Sequence, residues 1–109
     1  MKNIVVLGAT GSIGDSTLDV LRHFGEQFKV FGLSGGRRLE ELSKCLREWR
    51  PSCVCVADAD DIPYLAENFS GEVLSGIDGL CALASHCDVD IVVNGLVGSV
   101  GLRPTLAAL

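Results

Sequence analysis

Five apolar runs of strand length, separated by segments with helical spacing, constrain this chain more than any other feature. They are NIVVL at 3–7, FKVFGL at 28–33, CVCVA at 53–57, EVLSG at 72–76 and VDIVVN at 89–94. Most carry apolar residues at successive positions, the pattern of a strand buried on both faces. EVLSG is short and suits a sheet edge. Between the runs, Leu18, Leu21 and Phe24 recur at helical spacing within residues 12–24, and Gly25 closes that segment. Leu39, Leu42, Leu46 and Trp49 form the apolar stripe of an amphipathic helix that Pro51 stops. Residues 59–68 and 77–86 read as further helices, the first opened by Asp58, Asp60 and Asp61, acids that suit the positive end of a helix. LRPTLAAL at 102–109 begins one more. Alternation of this kind, joined by right-handed crossovers, predicts an α/β domain: a doubly wound, mostly parallel sheet with helices on both faces, Rossmann-like.

At 109 residues the chain is one domain or part of one, large enough for a single core. A 48% apolar content excludes a disordered chain, and a net charge of -5 argues against binding nucleic acid. No run has the length of a membrane span, and VDIVVNGLVGSVGL is interrupted by glycines and asparagine. The five cysteines, Cys45, Cys53, Cys55, Cys81 and Cys87, are odd in number and lack the spacing of a disulfide framework. They read as small buried apolar residues in a reducing, cytoplasmic compartment. TLAAL has good helix formers and no stop signal, so the chain is expected to be the first part of something longer.

The first turn, GATGSIGDS at 8–16, lies between the NIVVL strand and the first helical pattern. Gly8 ends the strand, Gly11 lies in the turn and Gly14 falls in the first helical turn. The spacing is G-x-x-G-x-x-G, not the stricter G-x-G-x-x-G, but the mechanical demands are similar: a tight reversal, a backbone bare enough for a pyrophosphate to approach, and a helix packed close to the sheet. The helix start presents unpaired amides and a partial positive charge to an anion, and Thr10 and Ser12 add hydroxyl donors. No lysine follows the last glycine, which excludes the phosphate loop of nucleoside triphosphatases. A turn that merely joins strand to helix is the plainer alternative; its place after the first strand of an α/β pattern favours dinucleotide binding.

The second strand indicates which dinucleotide. NAD-preferring sites place an acid about 20 residues beyond the glycines to hold the ribose 2′-hydroxyl. Here the strand runs into Ser34, Gly35 and Gly36, then Arg37 and Arg38, with no acid at its tip. An arginine fork matches a 2′-phosphate in sign and geometry, and cations at a helix start are otherwise slightly unfavourable. NADP is favoured over NAD. Farther along, Gly95, Gly98 and Gly101 follow the strand at 89–94. A loop at that end of a parallel strand lines the ligand crevice.

Three stretches together, GATGSIGDSTLDVLR, GLSGGRRLEEL and VVNGLVGSVGLRPTLAAL, resemble the 1-deoxy-D-xylulose 5-phosphate reductoisomerase family in order and spacing, over essentially the whole chain. The first is shared with many reductases; the last, with its G-L-x-P-T ending, is more particular. The resemblance implies that residues 1–109 are an N-terminal NADPH-binding domain, truncated before its last elements, with the catalytic and C-terminal domains absent. It implies a full-length enzyme that rearranges and reduces a sugar phosphate, 1-deoxy-D-xylulose 5-phosphate, to 2-C-methyl-D-erythritol 4-phosphate in non-mevalonate isoprenoid precursor synthesis. Such an enzyme uses magnesium or manganese and acts as a homodimer. By motif, Thr10, Gly11, Ser12 and Ile13 would contact the cofactor phosphates, and Gly36, Arg37 and Arg38 would surround the adenosine 2′-phosphate. The family usually has asparagine where this chain has Arg38, which keeps a positive charge there but changes the contact. No catalytic residue and no metal ligand of the enzyme is expected within the chain, so the fragment alone is expected to be inactive.

Other residues read more plainly. Cys53 and Cys55 share a strand face, and Cys81, His86 and Cys87 lie near one another, but neither group has zinc or active-dithiol spacing. His23 reads as a surface residue, His86 as a cation at a helix end, Asp58, Asp60 and Asp61 as helix-start acids, and Trp49 as core. Two rival functions are an NADP-dependent aldehyde or semialdehyde dehydrogenase, with its nucleophilic cysteine in a later domain, and a non-catalytic nucleotide-sensing module.

Overall fold

The computed structural model describes residues 2–24, 26–36, 38–67 and 69–96. Strands β1 (Lys2–Leu7), β2 (Phe28–Ser34), β3 (Cys53–Val56), β4 (Glu72–Ser75) and β5 (Ile91–Asn94) form one sheet in the order β4-β3-β2-β1-β5. Every pairing is parallel. The connections are helices: α1 (Ser12–His23), α2 (Leu39–Trp49), α3 (Ile62–Ala66) and α4 (Gly76–Ala84). This is the Rossmann-like α/β arrangement that the alternating pattern predicts.

The continuous apolar runs are explained by two cores, one on each face of the sheet. On one face Ile4, Val6, Val30, Leu33, Val54 and Val56 meet Leu18 and Leu21 of α1, Leu42 and Leu46 of α2, and Leu65 of α3. On the other face Val5, Leu7, Phe31, Cys53 and Cys55 meet Leu80, Leu83 and Ala84 of α4. Strands covered on both sides cannot alternate apolar with polar, which is why the sequence runs are unbroken.

A bulge interrupts β2. Ile4 pairs with Val30 and Val5 with Gly32, so Phe31 is an extra residue on that strand. The bulge changes the in–out alternation: Phe31 joins the α4 core and Leu33 rejoins Val30 on the α1–α2 face. Gly32 also faces α4, where a Cβ would lie 2.4 Å from Leu83 Cδ1.

Several boundaries differ from the sequence reading. The helix expected over 59–68 is a 3-10 turn, Ala59–Asp61, followed by the five-residue α3. Asp58 accepts the Asp60 amide at 2.9 Å, capping that turn as a helix-start acid, and Pro63 sits in the first turn of α3. The last strand begins at Ile91, and just before it Asp90 bonds to Asn3 twice: its carboxylate accepts the Asn3 amide at 2.7 Å and its amide donates to the Asn3 carbonyl at 2.9 Å. Helix α2 ends at Arg50, which takes a left-handed φ of 46° just before Pro51. Phe24 is exposed at the end of α1 rather than part of its buried stripe. Gly25 and the helix expected over 102–109 lie outside the described residues.

Candidate functional site

The sheet order creates the site. From β1 the chain steps outward through β2 and β3 to β4, then returns to place β5 on the other side of β1. The carboxyl ends of β1 and β5 therefore flank a topological switch point, where open α/β sheets receive ligands. Gly8 follows β1 and Gly95 follows β5, and their backbones touch. Gly8 has φ +74°, and a Cβ there would lie 3.2 Å from the Gly95 carbonyl carbon. A Cβ on Gly95 would lie 2.9 Å from the Leu7 carbonyl oxygen and 3.3 Å from the Gly14 nitrogen. On Gly14 it would lie 2.1 Å from the Gly8 carbonyl oxygen. These glycines let α1 start directly against the sheet.

Gly11 is the N-cap of α1, with no side-chain cap. The Asp15 amide donates to the Gly11 carbonyl at 2.9 Å, so the amides of Ser12, Ile13 and Gly14 precede the first helical bond. Gly11, Ser12 and Ile13 are exposed and Thr10 is half-buried, leaving the helix mouth accessible. This is the geometry that attracts an anion.

The tip of β2 forms the other half. Gly35 is pressed against α2, where a Cβ would lie 2.9 Å from Leu42 Cδ2. Gly36 is open, with nothing within 4 Å of a Cβ. Arg38 is the exposed N-cap residue of α2, and its Nη1 donates to the Thr10 carbonyl at 3.4 Å. The fold thus brings Thr10, Gly11, Ser12 and Ile13 to one side and Gly36 and Arg38 to the other. Arg37 lies outside the described residues, as do Gly98 and Gly101. The residue that the motif reading passed over is Ser34, whose Oγ accepts the Gly8 amide at 2.8 Å. Its signal in the sequence is a hydroxyl at the strand tip, where an acid would stand in an NAD site.

The remaining candidates fall elsewhere. Cys53 and Cys55 face α4; burial pushes their thiols up to about 11 and about 12, so neither is a ready nucleophile. Ligand atoms of His86, Cys87 and Asp88 lie within 4.8 Å of one another, but all three residues are exposed and Cys81 is not among them. His86 directly follows the Ser85 cap at the end of α4; the Asp88 amide donates to its Nδ1 at 3.1 Å, and its ring lies 4.7 Å from that of Phe31. His23 is exposed, and Trp49 is partly buried against the α1–α2 core. Arg22 lies over the Trp49 ring and binds Glu48 through Nε at 2.6 Å and Nη2 at 2.9 Å.

A parallel sheet with a glycine turn opening a helix at its switch point, and an arginine reaching that turn from beyond the second strand, defines a Rossmann-like domain of the dinucleotide-binding class. The family model described as 1-deoxy-D-xylulose 5-phosphate reductoisomerase matches residues 4–109, and the chain belongs to that family. The reductoisomerase of Trichlorobacter lovleyi is 46% identical over 112 residues, which cover 100% of this chain and 29% of the relative. That of Ectopseudomonas mendocina is 49% identical over 114 residues, again covering 100% of this chain and 29% of the relative. A crystal structure of DOX-P reductoisomerase in complex with NADPH, fosmidomycin and magnesium superimposes with a TM-score of 0.93 at 36% identity, covering 99% of this chain and 28% of that one. The Zymomonas mobilis enzyme in complex with NADPH gives 0.89 at 32% identity, covering 98% and 29%. The chain thus spans about 29% of the length of its curated relatives. These matches disfavour the dehydrogenase and sensing alternatives. Among the described residues no helix is long and apolar enough to cross a membrane.

Proposed function

We propose that this chain is the NADPH-binding part of a 1-deoxy-D-xylulose 5-phosphate reductoisomerase. The whole protein would convert 1-deoxy-D-xylulose 5-phosphate to 2-C-methyl-D-erythritol 4-phosphate in non-mevalonate isoprenoid precursor synthesis. The observation that carries this reading is the convergence of a bare helix mouth and an arginine: the Arg38 guanidinium reaches the Thr10 carbonyl, beside the uncapped start of α1.

In this reading Thr10, Gly11, Ser12 and Ile13 hold the cofactor phosphates, and Gly36, Arg37 and Arg38 surround the adenosine 2′-phosphate. The residues fit such a ligand: the open space over Gly36 leaves room for it, and the contacts of Gly8, Gly14 and Gly95 leave no place for side chains between turn and helix. Bound NADPH supplies the hydride of the reduction. The chain's own residues bind and orient the cofactor. The magnesium or manganese site, the sugar-phosphate site and the catalytic groups belong to the remainder of the protein, which would work as a homodimer. The five free thiols support a reducing, cytoplasmic setting.

Titration of the full-length protein with NADPH and NADH tests the assignment. NADPH is expected to bind more tightly, by roughly tenfold or more, the scale of one charge-assisted contact. Equal affinity for the two would remove the proposed 2′-phosphate site.

A further inference from the structure

Among the described residues Ser34 is the buried polar side chain, 2% exposed at the end of β2. Its Oγ accepts the Gly8 amide at 2.8 Å, and its carbonyl accepts the Ala9 amide at 2.8 Å. One residue of β2 therefore holds two successive amides of the glycine turn. Beyond Ser34 the chain runs through Gly35 and Gly36 to Arg38, which returns to the Thr10 carbonyl at 3.4 Å. The two loops that flank the site are tied together from below by Ser34 and from above by Arg38.

We propose that Ser34 is a positioning residue for the dinucleotide. The inference rests on the reading of this site as one for NADPH. Gly8 has φ +74°, one of several conformations that glycine adopts readily, so a bond to its amide selects the shape of the turn. Without the hydroxyl, the Gly8 amide loses its acceptor and the turn is free to shift. Binding must then restore it, at a cost in affinity. Because Ser34 acts on the turn that faces the pyrophosphate, the loss falls equally on NADPH and NADH. A direct contact with the 2′-phosphate would instead affect NADPH alone.

The test uses the full-length protein with Ser34→Ala, Ser34→Thr and Arg38→Ala, each titrated with NADPH and NADH and assayed for turnover. Ser34→Ala is expected to weaken both nucleotides by a similar factor, roughly fivefold, the scale of one hydrogen bond. It should raise the KM for NADPH with little change in kcat at saturation. Ser34→Thr keeps the hydroxyl and should retain more affinity than Ser34→Ala. Arg38→Ala should weaken NADPH far more than NADH. Unchanged affinity for both nucleotides in Ser34→Ala, or a loss confined to NADPH, would overturn the positioning role while leaving the cofactor assignment intact. A parent protein that binds neither nucleotide would overturn both.

Discussion

The start of α1 rests so closely on the end of β1 that a Cβ on Gly14 would stand 2.1 Å from the carbonyl oxygen of Gly8. Gly8 directly follows β1, with its amide held by Ser34 Oγ, and Gly14 lies in the first turn of α1, so the clash would fall on backbone and not on a flexible side chain. This contact sets the direction in which the first-turn amides point.

Gly14→Ala is therefore expected to destabilise the protein by about 3 kcal/mol and to weaken nucleotide binding. Gly36→Ala is the matched control. Its new methyl meets nothing within 4 Å, and its effect on stability is expected to stay within about 0.5 kcal/mol. Urea unfolding of the two variants checks the contrast; equal losses would refute the packing argument.

Arg38→Glu is expected to reverse the preference between nucleotides. The guanidinium that reaches Thr10 is replaced by a carboxylate that repels a 2′-phosphate and can hold a 2′-hydroxyl. The ratio of NADPH to NADH affinity should fall by roughly two orders of magnitude, from the loss of a charge-assisted contact and the new repulsion. Fluorescence titration with both nucleotides measures it.

The thiols should divide by burial. At a pH of about 8, iodoacetamide is expected to label exposed Cys87 well before Cys53 and Cys55, whose thiols burial raises to about 11 and about 12. The sign of the stability effect follows. A raised folded-state value favours the neutral thiol in the fold, so the contribution is complete below the ordinary value of 9.0 and is lost as pH rises through about 11 to 12. Peptide mass spectrometry and unfolding between neutral and alkaline pH test both statements.

Glu48 joins α2 to α1 through Arg22, and that hydrogen bond holds its carboxyl below the usual 4.5. The stabilisation is present above 4.5 and is lost as pH falls through the lower folded-state value. Both side chains are substantially exposed, so Glu48→Gln should cost less than about 1 kcal/mol at neutral pH. Urea unfolding of the variant and its parent measures the difference, which should shrink in high salt and at acid pH.

Much of this was legible in one dimension. Unbroken apolar runs can be satisfied only by strands covered on both faces, and the spacing of Leu39, Leu42, Leu46 and Trp49 marks a helix stripe without reference to any partner. The glycine turn was likewise readable, because a positive φ at Gly8 and the close approach at Gly14 are demands that side chains cannot meet. Pro63 and the Asp58 cap shortened a helix that apolar spacing alone prolongs. Other features arise only when distant segments meet. Ser34 lies 26 residues from Gly8, and nothing local reveals that its hydroxyl completes the first turn. The contact of Gly95 with Gly8, the return of Arg38 to Thr10 and the bulge at Phe31 all depend on how neighbouring strands align. Local periodicity records which faces must be buried; register and strand order bring particular atoms within bonding distance, and those belong to the assembled sheet.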